Sequence, residues 1–180
     1  MLHQTTKRSD DADRAYEAAI AADPNAAIAY NNRAWLATER KGNLNDALTW
    51  AKKAVELGPK VATFYDTLGA VHLGRKEIDP AVAALRTATS LAPASPDYHY
   101  RLGLLAEACA RKSGQDEAGA RHEDAALQHY RAALVHQADH GLAFERSRRI
   151  LVAHNDLGNL VRMLESAAQA ASGQARSWAH

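Results

Sequence analysis

Histidines are the residues in this sequence whose type and spacing best fit a chemical role, which would be metal binding. The chain has nine of them, and His122, His129 and His136 fall at seven-residue intervals. Imidazole nitrogens are common Zn²⁺ ligands, and the four-residue step from His136 to His140 places two rings on one face of a helix. A seven-residue step spans about two helical turns, roughly 10 Å, which is too far for two rings to share one ion. No cysteine or carboxylate completes a ligand set, so we expect a solvated helical face and no metal site.

Catalytic motifs are absent from the sequence. It contains no glycine-rich phosphate loop, no serine nucleophile elbow and no HExxH zinc motif. The formal net charge is +1, so no global field attracts nucleic acid or an anionic membrane surface. The basic residues also do not form a stripe that alternates with aromatic residues. We therefore expect a protein that is not an enzyme, needs no cofactor and binds no nucleic acid.

Composition indicates one helical domain. The 180 residues are 47% hydrophobic but only 6% aromatic, which suits alanine-rich helices packed at short distance. The single Cys109 excludes an internal disulfide. No run of 18 apolar residues predicts a transmembrane helix, and residues 1–10 lack the apolar segment of a signal peptide. We expect a cytoplasmic protein by default, or a periplasmic one if the chain is a fragment of a longer secreted protein.

A repeat of about 34 residues organises the chain. Its clearest copy carries Tyr65, Leu68, Gly69, His72, Ala81, Leu85, Ala88 and Pro93. These positions match the tetratricopeptide pattern W-x2-L-G-x2-Y…A-x3-F…P, with Tyr65 in place of the Trp, His72 in place of the Tyr and Leu85 in place of the Phe. Pro24, Pro59 and Pro93 follow one another at 35 and 34 residues, and the Leu-Gly pair recurs 34 residues later as Leu102-Gly103. The chain resembles the tetratricopeptide repeat family.

This resemblance implies an all-α solenoid of antiparallel helix pairs, a right-handed superhelix with about nine helices in a single domain over 1–180. In each repeat, helix A is followed by helix B. The expected parts are a half repeat at 10–24, repeats at 26–59, 60–93 and 94–138, and a divergent C-terminal capping pair at 140–171. The fourth repeat has 11 residues too many between its helices, at about 111–121. We interpret these residues as extensions of both helices that form a protruding hairpin. The hairpin would either contact a partner or serve as a solvated spacer.

The two ends of the chain carry specific expectations. The first helix, expected from Asp10 to Ala22, is a B helix without its A partner, and Tyr16 and Ile20 lie on its apolar face. A single helix cannot bury this face, so we expect the N-terminal end to make a contact. It would stack on another copy, dock on a partner subunit or join upstream sequence. At the other end, Asp156 should cap a last helix with an apolar face, and residues 172–180 should form a polar tail. The members of that face are Leu160, Met163, Leu164 and Ala167.

Two further side chains have expected local roles. Arg33 stands where the repeat pattern has leucine. Either its stem packs while its head reaches solvent, or it forms a buried ion pair, and we favour the first. Ser95, directly before Pro96, should cap the helix that begins there.

The resemblance also implies a binding groove, because the A helices of tetratricopeptide repeats line a concave surface. Carried over position by position, the groove residues are Asn31, Trp35, Thr38, Asp66, Ala70, Leu73, Tyr100, Leu104, Glu107, Glu145 and Arg149. Trp35 and Tyr100 would anchor apolar side chains, and Asn31 would hold a peptide backbone. The carboxylate-clamp type of groove does not fit, because Asp66 would face the carboxylate.

The expected function is therefore that of a non-catalytic scaffold that binds a peptide or protein partner through this groove. The alternative is a structural subunit of a larger assembly that uses its convex face and its ends. Three segments favour a bacterial context: Tyr30–Ala37, Tyr65–Gly69 and Tyr98–Gly103 are similar to repeats of the tetratricopeptide proteins in exopolysaccharide and exosortase systems. A regulatory or metal-binding role for the histidine-rich helix is the third possibility.

Overall fold

The structure, a computed structural model, describes residues 2–40, 42–114 and 116–177. Within these residues all regular structure is helical, which confirms the all-α repeat fold. The nine described helices are α1 (Leu2–Ala22), α2 (Ala27–Glu39), α3 (Leu44–Leu57), α4 (Ala62–Gly74), α5 (Ile78–Leu91), α6 (Pro96–Ser113), α7 (Glu117–His136), α8 (Gly141–Ala153) and α9 (Leu157–Ser177). The chain divides into two compact units, residues 1–93 and 94–180. Helices α1 to α5 belong to the first unit and α6 to α9 to the second.

The interior helix boundaries lie close to those expected from the sequence, but both outermost helices are longer. Helix α1 begins at Leu2 rather than Asp10, and α9 continues to Ser177 rather than ending at Ala171. Neither extension contains a proline, and alanine, glutamine and arginine are good helix formers. The expected start of the first helix at Asp10 was therefore wrong, and the segment expected to form a tail is helical as far as Ser177.

The turns after α4 and α8 share one hydrogen-bond pattern. After α4, the N–H of Glu77 donates to the carbonyl of His72, and Lys76 adopts a left-handed φ of 64°. After α8, the N–H of Asp156 donates to the carbonyl of Leu151, and Asn155 has a φ of 53°. Both are Schellman-type helix ends, which satisfy the last carbonyls of the helix. Each turn therefore reverses the chain in the same way, as a helix repeat requires.

Small residues allow close helix packing in the first unit. Its core consists of Ala34, Ala47, Ala51 and Val71, with Ala37, Leu48, Trp50 and Leu68 packed around them. Helix α4 approaches α5 at Gly69, where an added Cβ would lie 2.9 Å from Cγ of Leu85. The glycine of the repeat pattern is therefore explained by a close approach between two helices.

Arg33 lies in a charged cluster rather than reaching solvent. Its Nε donates to Asp13 at 3.0 Å, and its Nη2 lies 3.3 Å from Glu17. The guanidinium carbon also lies 4.2 Å above the ring of Trp50, which is cation–π geometry. Because only 14% of the Arg33 side chain is exposed, our preference for a solvent-directed arginine was wrong and the ion-pair alternative is correct. Arg33 joins α1, α2 and α3.

A second charged cluster holds the turn between α4 and α5. Nδ1 of the buried His72 lies 2.7 Å from Oε2 of Glu77, and Nε of Arg75 donates to the other carboxylate oxygen at 3.0 Å. The hydrogen bond from Arg75, followed by that from His72, lowers the pKa of Glu77 from 4.5 to about 2. Ionised Glu77 therefore stabilises the folded state.

This cluster predicts a specific acid sensitivity. Because the folded-state pKa of Glu77 lies below its ordinary value, its stabilising effect is complete above pH 4.5 and is lost as the pH falls towards about 2. Glu77→Gln should lower the thermal midpoint at pH 7, and its difference from the original chain should shrink steadily below pH 4.5. Thermal melts across that range test this. The exposed Glu39→Gln is the matched control, and a Glu77→Gln difference independent of pH would contradict the assignment.

The second unit contains the longest helix hairpin of the described repeats. Helices α6 and α7 have 18 and 20 residues, against 13 and 14 for α4 and α5, so both helices are extended as expected. Helix α6 meets α7 at Gly103, where an added Cβ would lie 2.3 Å from Cε1 of Tyr130. Tyr130 is fully buried in a core whose other members are Ala126, Ala133, Ala143 and Ile150. Whether the extension contacts a partner stays a prediction.

Capping in the second unit differs partly from expectation. Asp156 accepts from the backbone N–H of Asn159 at 3.1 Å, which confirms it as the cap of α9. Ser95 occupies the N-cap position of α6, but its side chain makes no capping hydrogen bond. His140 caps α8 instead of belonging to a solvated histidine face, because its Nδ1 accepts from the N–H of Ala143 at 3.1 Å.

The last helix exposes aliphatic side chains. Leu164 was expected to face inward, but it is 46% exposed, and Leu157 and Val161 on the same side of α9 are exposed too. Leu160 and Met163 are half-buried as expected. An apolar outer face is unusual for a terminal cap, which normally carries a polar one.

Candidate functional site

In the first unit, α2 and α4 pack side by side and carry the first group of predicted groove residues. Trp35, Thr38, Ala70 and Leu73 are half-buried, while Asn31 and Asp66 are buried. The hydroxyl of Thr38 donates to the carbonyl of Ala34 at 2.9 Å within its own helix. Trp35 is therefore the largest predicted groove side chain in this unit that a partner can reach.

Asn31 does not have the accessibility expected of a backbone clamp. It is 9% exposed, and its Nδ2 donates to the side chain of Asn32 at 3.2 Å. Its Oδ1 is shielded from solvent and has no donor among the described residues. A partner could reach this oxygen only after the side chain rotates.

In the second unit, Tyr100, Leu104 and Glu107 lie on α6, whereas Glu145 and Arg149 lie on α8. Tyr100 and Leu104 are half-buried. The ring of Tyr100 packs against Tyr130 and His140, with centroid separations of 5.8 and 5.0 Å. This packing fixes the ring and leaves Tyr100 only partly available to a partner.

Glu107 is the centre of the second unit's polar structure. Its side chain is 8% exposed, and the hydroxyl of Tyr130 donates to its Oε1 at 2.7 Å. Three guanidiniums converge on Oε2: Arg146 and Arg149 at 3.0 Å each, and Arg111 at 3.4 Å. Burial, followed by the hydrogen bond and charge of Glu107, raises the pKa of Tyr130 above its usual range. Glu107 was predicted to line the groove. In the structure its carboxylate links α6 to α7 through Tyr130 and to α8 through Arg146 and Arg149.

The arginines around Glu107 keep unused hydrogen-bonding capacity. Each donates one hydrogen bond to the carboxylate, although a guanidinium carries five N–H donors. The side chains of Arg111 and Arg149 are 66% and 59% exposed. One buried carboxylate thus positions two solvent-accessible guanidiniums on one face.

These residues line a cleft of about 190 Å³ between α6, α7 and α8. Its lining consists of Glu107, Ala110, Arg111, Glu123, Arg149, Ile150, Ala153 and His154. Oε2 of Glu123 lies 2.5 Å from Nε2 of His154, so this second carboxylate has its own partner. The lining therefore contains two arginines and two glutamates, and Arg146, which pairs with Glu107 without lining the cleft, places a third guanidinium beside it. We call it the arginine cleft.

Glu145 lies apart from the arginine cleft. Arg148 donates to both of its carboxylate oxygens, at 2.9 and 2.6 Å. These hydrogen bonds lower the pKa of Glu145, so it is ionised and already paired near neutral pH. Of the predicted residues in this unit, only Glu107 and Arg149 line the cleft.

Two arginines that bind Glu107 were not predicted to do so from the sequence: Arg111, which lines the cleft and was assigned to the inserted hairpin, and Arg146, which lies outside the lining. A signal did exist, because Arg146, Arg148 and Arg149 crowd onto one helix opposite an A helix with a glutamate at an inward-facing position. The repeat pattern alone does not show which of them share that glutamate.

Two of the spaced histidines, His129 and His136, make ring contacts with His99. The ring of His99 on α6 stacks on His136, with centroids 5.5 Å apart and planes 18° apart, and lies 6.4 Å from the ring of His129. Ring nitrogens direct their lone pairs in the ring plane, so stacked rings do not point them at a common ion. His136 is exposed, as a solvated face predicts, whereas His129 is half-buried, and the absence of a metal site stays a prediction.

Comparison with known proteins gives the same fold. One family profile, described as "Tetratricopeptide repeat", matches part of the chain. Residues 2–62 match the tetratricopeptide repeat. None of the curated proteins matches the sequence.

Solved structures with a similar fold cover nearly all of the chain. A structure described as MamA is 23% identical, with a TM-score of 0.72, over 96% of this chain and 94% of its own. YrrB, described as a TPR protein with an unusual peptide-binding site, is 19% identical, with a TM-score of 0.62, over 93% and 80%. The Arabidopsis OM64 TPR domain is 20% identical, with a TM-score of 0.58, over 69% and 93%. At these identities the similarity shows the fold.

Tetratricopeptide repeats generally act as scaffolds for protein–protein interaction, and are typically not enzymes. Among the described helices of this chain, none combines the length and hydropathy that a membrane span requires.

Proposed function

We propose that this protein is a non-catalytic scaffold that binds an acidic segment of a partner protein through the arginine cleft of its second unit. Glu107 and Arg149, two of the positions predicted to line the binding groove, both line this cleft, which supports the proposal. YrrB, which has the same fold, is described as having a peptide-binding site.

One observation carries the proposal: two arginines more than half exposed are held in place by a single buried carboxylate. Glu107 accepts from both Arg111 and Arg149, which reduces the number of orientations that each long side chain samples. A partner carboxylate can therefore bind without first ordering these side chains, and preorganisation of this kind favours binding. The guanidinium of Arg146 beside the cleft adds positive charge there, which also favours encounter with an acidic partner.

Binding to acidic peptides tests this proposal. The probe is a fluorescein-labelled library of acidic peptides, each with one aromatic residue. The control library has Asn and Gln in place of Asp and Glu. Fluorescence anisotropy measures the binding of both libraries. Arg111→Gln and Arg149→Gln should each weaken binding of the acidic peptides by about two- to fivefold, the range for exposed ion pairs. Binding should also weaken as salt rises.

The matched control is Arg86→Gln, which removes the same charge from an exposed position in the first unit. It should leave the affinity unchanged. Equal binding of the acidic and neutralised libraries, or equal effects of all three substitutions, would contradict the proposed role of the arginine cleft.

The predicted groove of the first unit remains part of the proposal as a contact for apolar side chains, through Trp35. The alternative is that the protein is a permanent subunit of a larger assembly, including a bacterial secretion or envelope complex. Substitution of Trp35 and Tyr100 distinguishes the scaffold from the subunit, since it should abolish binding of a partner in the groove and leave assembly through other surfaces unchanged.

The predicted use of the N-terminal helix also stays open. Its largest described apolar side chains, Tyr16 and Ile20, are half-buried.

A further inference from the structure

A second cleft, separate from the arginine cleft, lies between α7, α8 and α9. It has a volume of about 300 Å³. Its lining consists of Arg131, Leu134, Val135, Ala138, Phe144, Asn159, Arg162, Met163, Ser166 and Ala167. None of these residues lines the arginine cleft, so the two can be tested independently. We call this one the α9 cleft.

The walls of the α9 cleft are largely apolar. Leu134 and Val135 contribute from α7, Phe144 from α8 and Met163 from α9. Val135 is 81% exposed, the most exposed of the large apolar side chains that the structure describes. An apolar group that enters the cleft would remove such surface from water, which favours its binding.

Two arginines, Arg131 and Arg162, line the α9 cleft and contribute positive charge to it. Among the described residues, neither Arg131 nor Arg162 has a carboxylate within ion-pair distance; Nε of Arg162 makes one long hydrogen bond, 3.4 Å, to the carbonyl of Gly158. Asp156 accepts from both the side chain and the backbone of Asn159, and these hydrogen bonds, followed by the charges of Arg131 and Arg162, lower its pKa. The lining of the α9 cleft contains these two guanidiniums and no carboxylate.

We propose that the α9 cleft binds the carboxyl-terminal residue of a partner peptide when that residue is apolar. The apolar walls take the side chain, and Arg131 and Arg162 take the terminal carboxylate. The volume is at the lower end of the range for ligand clefts, which suits one residue better than an extended segment. An apolar side chain and a carboxylate occur in a single residue only at a chain terminus. This site is independent of the proposed arginine-cleft function.

Small probes separate the parts of this proposal. N-acetyl-leucine carries both the apolar side chain and the terminal carboxylate, N-acetyl-leucinamide lacks the charge, and acetyl-aspartyl-leucinamide moves the carboxylate to a side chain. Titration into the isotope-labelled full chain, followed by amide chemical shifts, should show saturable changes around Phe144 and Met163 for N-acetyl-leucine alone. The absence of such changes, or equal changes with either other probe, would overturn the proposal.

Matched variants identify the binding position. Ala167→Leu fills the α9 cleft and should abolish the N-acetyl-leucine shifts, whereas Ala168→Leu adds the same group at an exposed position outside the cleft and should preserve them. Arg162→Gln should weaken N-acetyl-leucine binding at least threefold, and the amide spectrum of each variant verifies folding. The original chain could instead self-associate and show no chemical-shift changes with any probe. If Ala167→Leu then removed the self-association, the cleft would bind a second copy of the chain and the proposal would be overturned.

Discussion

Replacing Glu107 with leucine should destabilise the second unit more than any other exchange of a single charged residue in it. The hydroxyl of Tyr130, which is fully buried, would lose its acceptor. A buried donor left unsatisfied costs about 1–3 kcal/mol. Loss of the ion pairs with partly exposed arginines adds about 0–1 kcal/mol each. Chemical denaturation measures the change in the free energy of unfolding.

A double-mutant cycle separates the hydrogen bond from the rest of this effect. Tyr130→Phe removes the hydroxyl, so adding it to Glu107→Leu should cost less than the sum of the two single changes. Glu117→Leu is the matched control because that carboxylate is 88% exposed, and it should have little effect. Strict additivity of the two core substitutions would contradict the assigned hydrogen bond.

Gly103→Ala should destabilise the contact between α6 and α7. The added methyl group would lie 2.3 Å from Cε1 of Tyr130, a ring that is fully buried and has no room to move. Overpacking of this kind costs about 1–3 kcal/mol, which exceeds the roughly 1 kcal/mol by which alanine is the better helix former. A lower midpoint in chemical denaturation is the expected result.

Gly141→Ala is the matched control for this substitution. Nothing lies within 4 Å of a Cβ built on Gly141, which starts α8 at an exposed position. The change should be neutral or stabilising by up to about 1 kcal/mol, because alanine has fewer unfolded conformations to lose. If Gly103→Ala were as harmless as Gly141→Ala, the packing of α6 on α7 would have to be looser than described.

Local signals explain why the interior helices were predictable from the sequence. Gly58-Pro59 ends α3, and Pro96 starts α6, because glycine and proline act on the backbone at their own position. The outer ends of α1 and α9 lack such signals, so their extra turns were missed. The glycine of the Leu-Gly pair was also predictable, since it marks a close helix contact that the repeat pattern itself encodes.

The candidate site was only partly predictable because its contacts join distant residues. Glu107 meets Arg146 and Arg149 across 39 and 42 positions, which a repeat pattern does not specify. Arg33 likewise meets Asp13 across 20 positions. The pattern identified which helix faces are available for binding, whereas the pairing of charges on those faces depended on the three-dimensional structure.

Photocrosslinking gives the most direct test of the claim that an acidic partner occupies the arginine cleft. Benzoylphenylalanine would replace Ala153, which is exposed and lines the cleft, or Gln128, an exposed position on α7 outside it. The tightest acidic peptide from the library is then added at its dissociation constant and irradiated. We expect adducts from position 153 that Arg149→Gln reduces, and none from position 128. Adducts from position 128 alone, or equal adducts from both positions, would contradict binding in the arginine cleft.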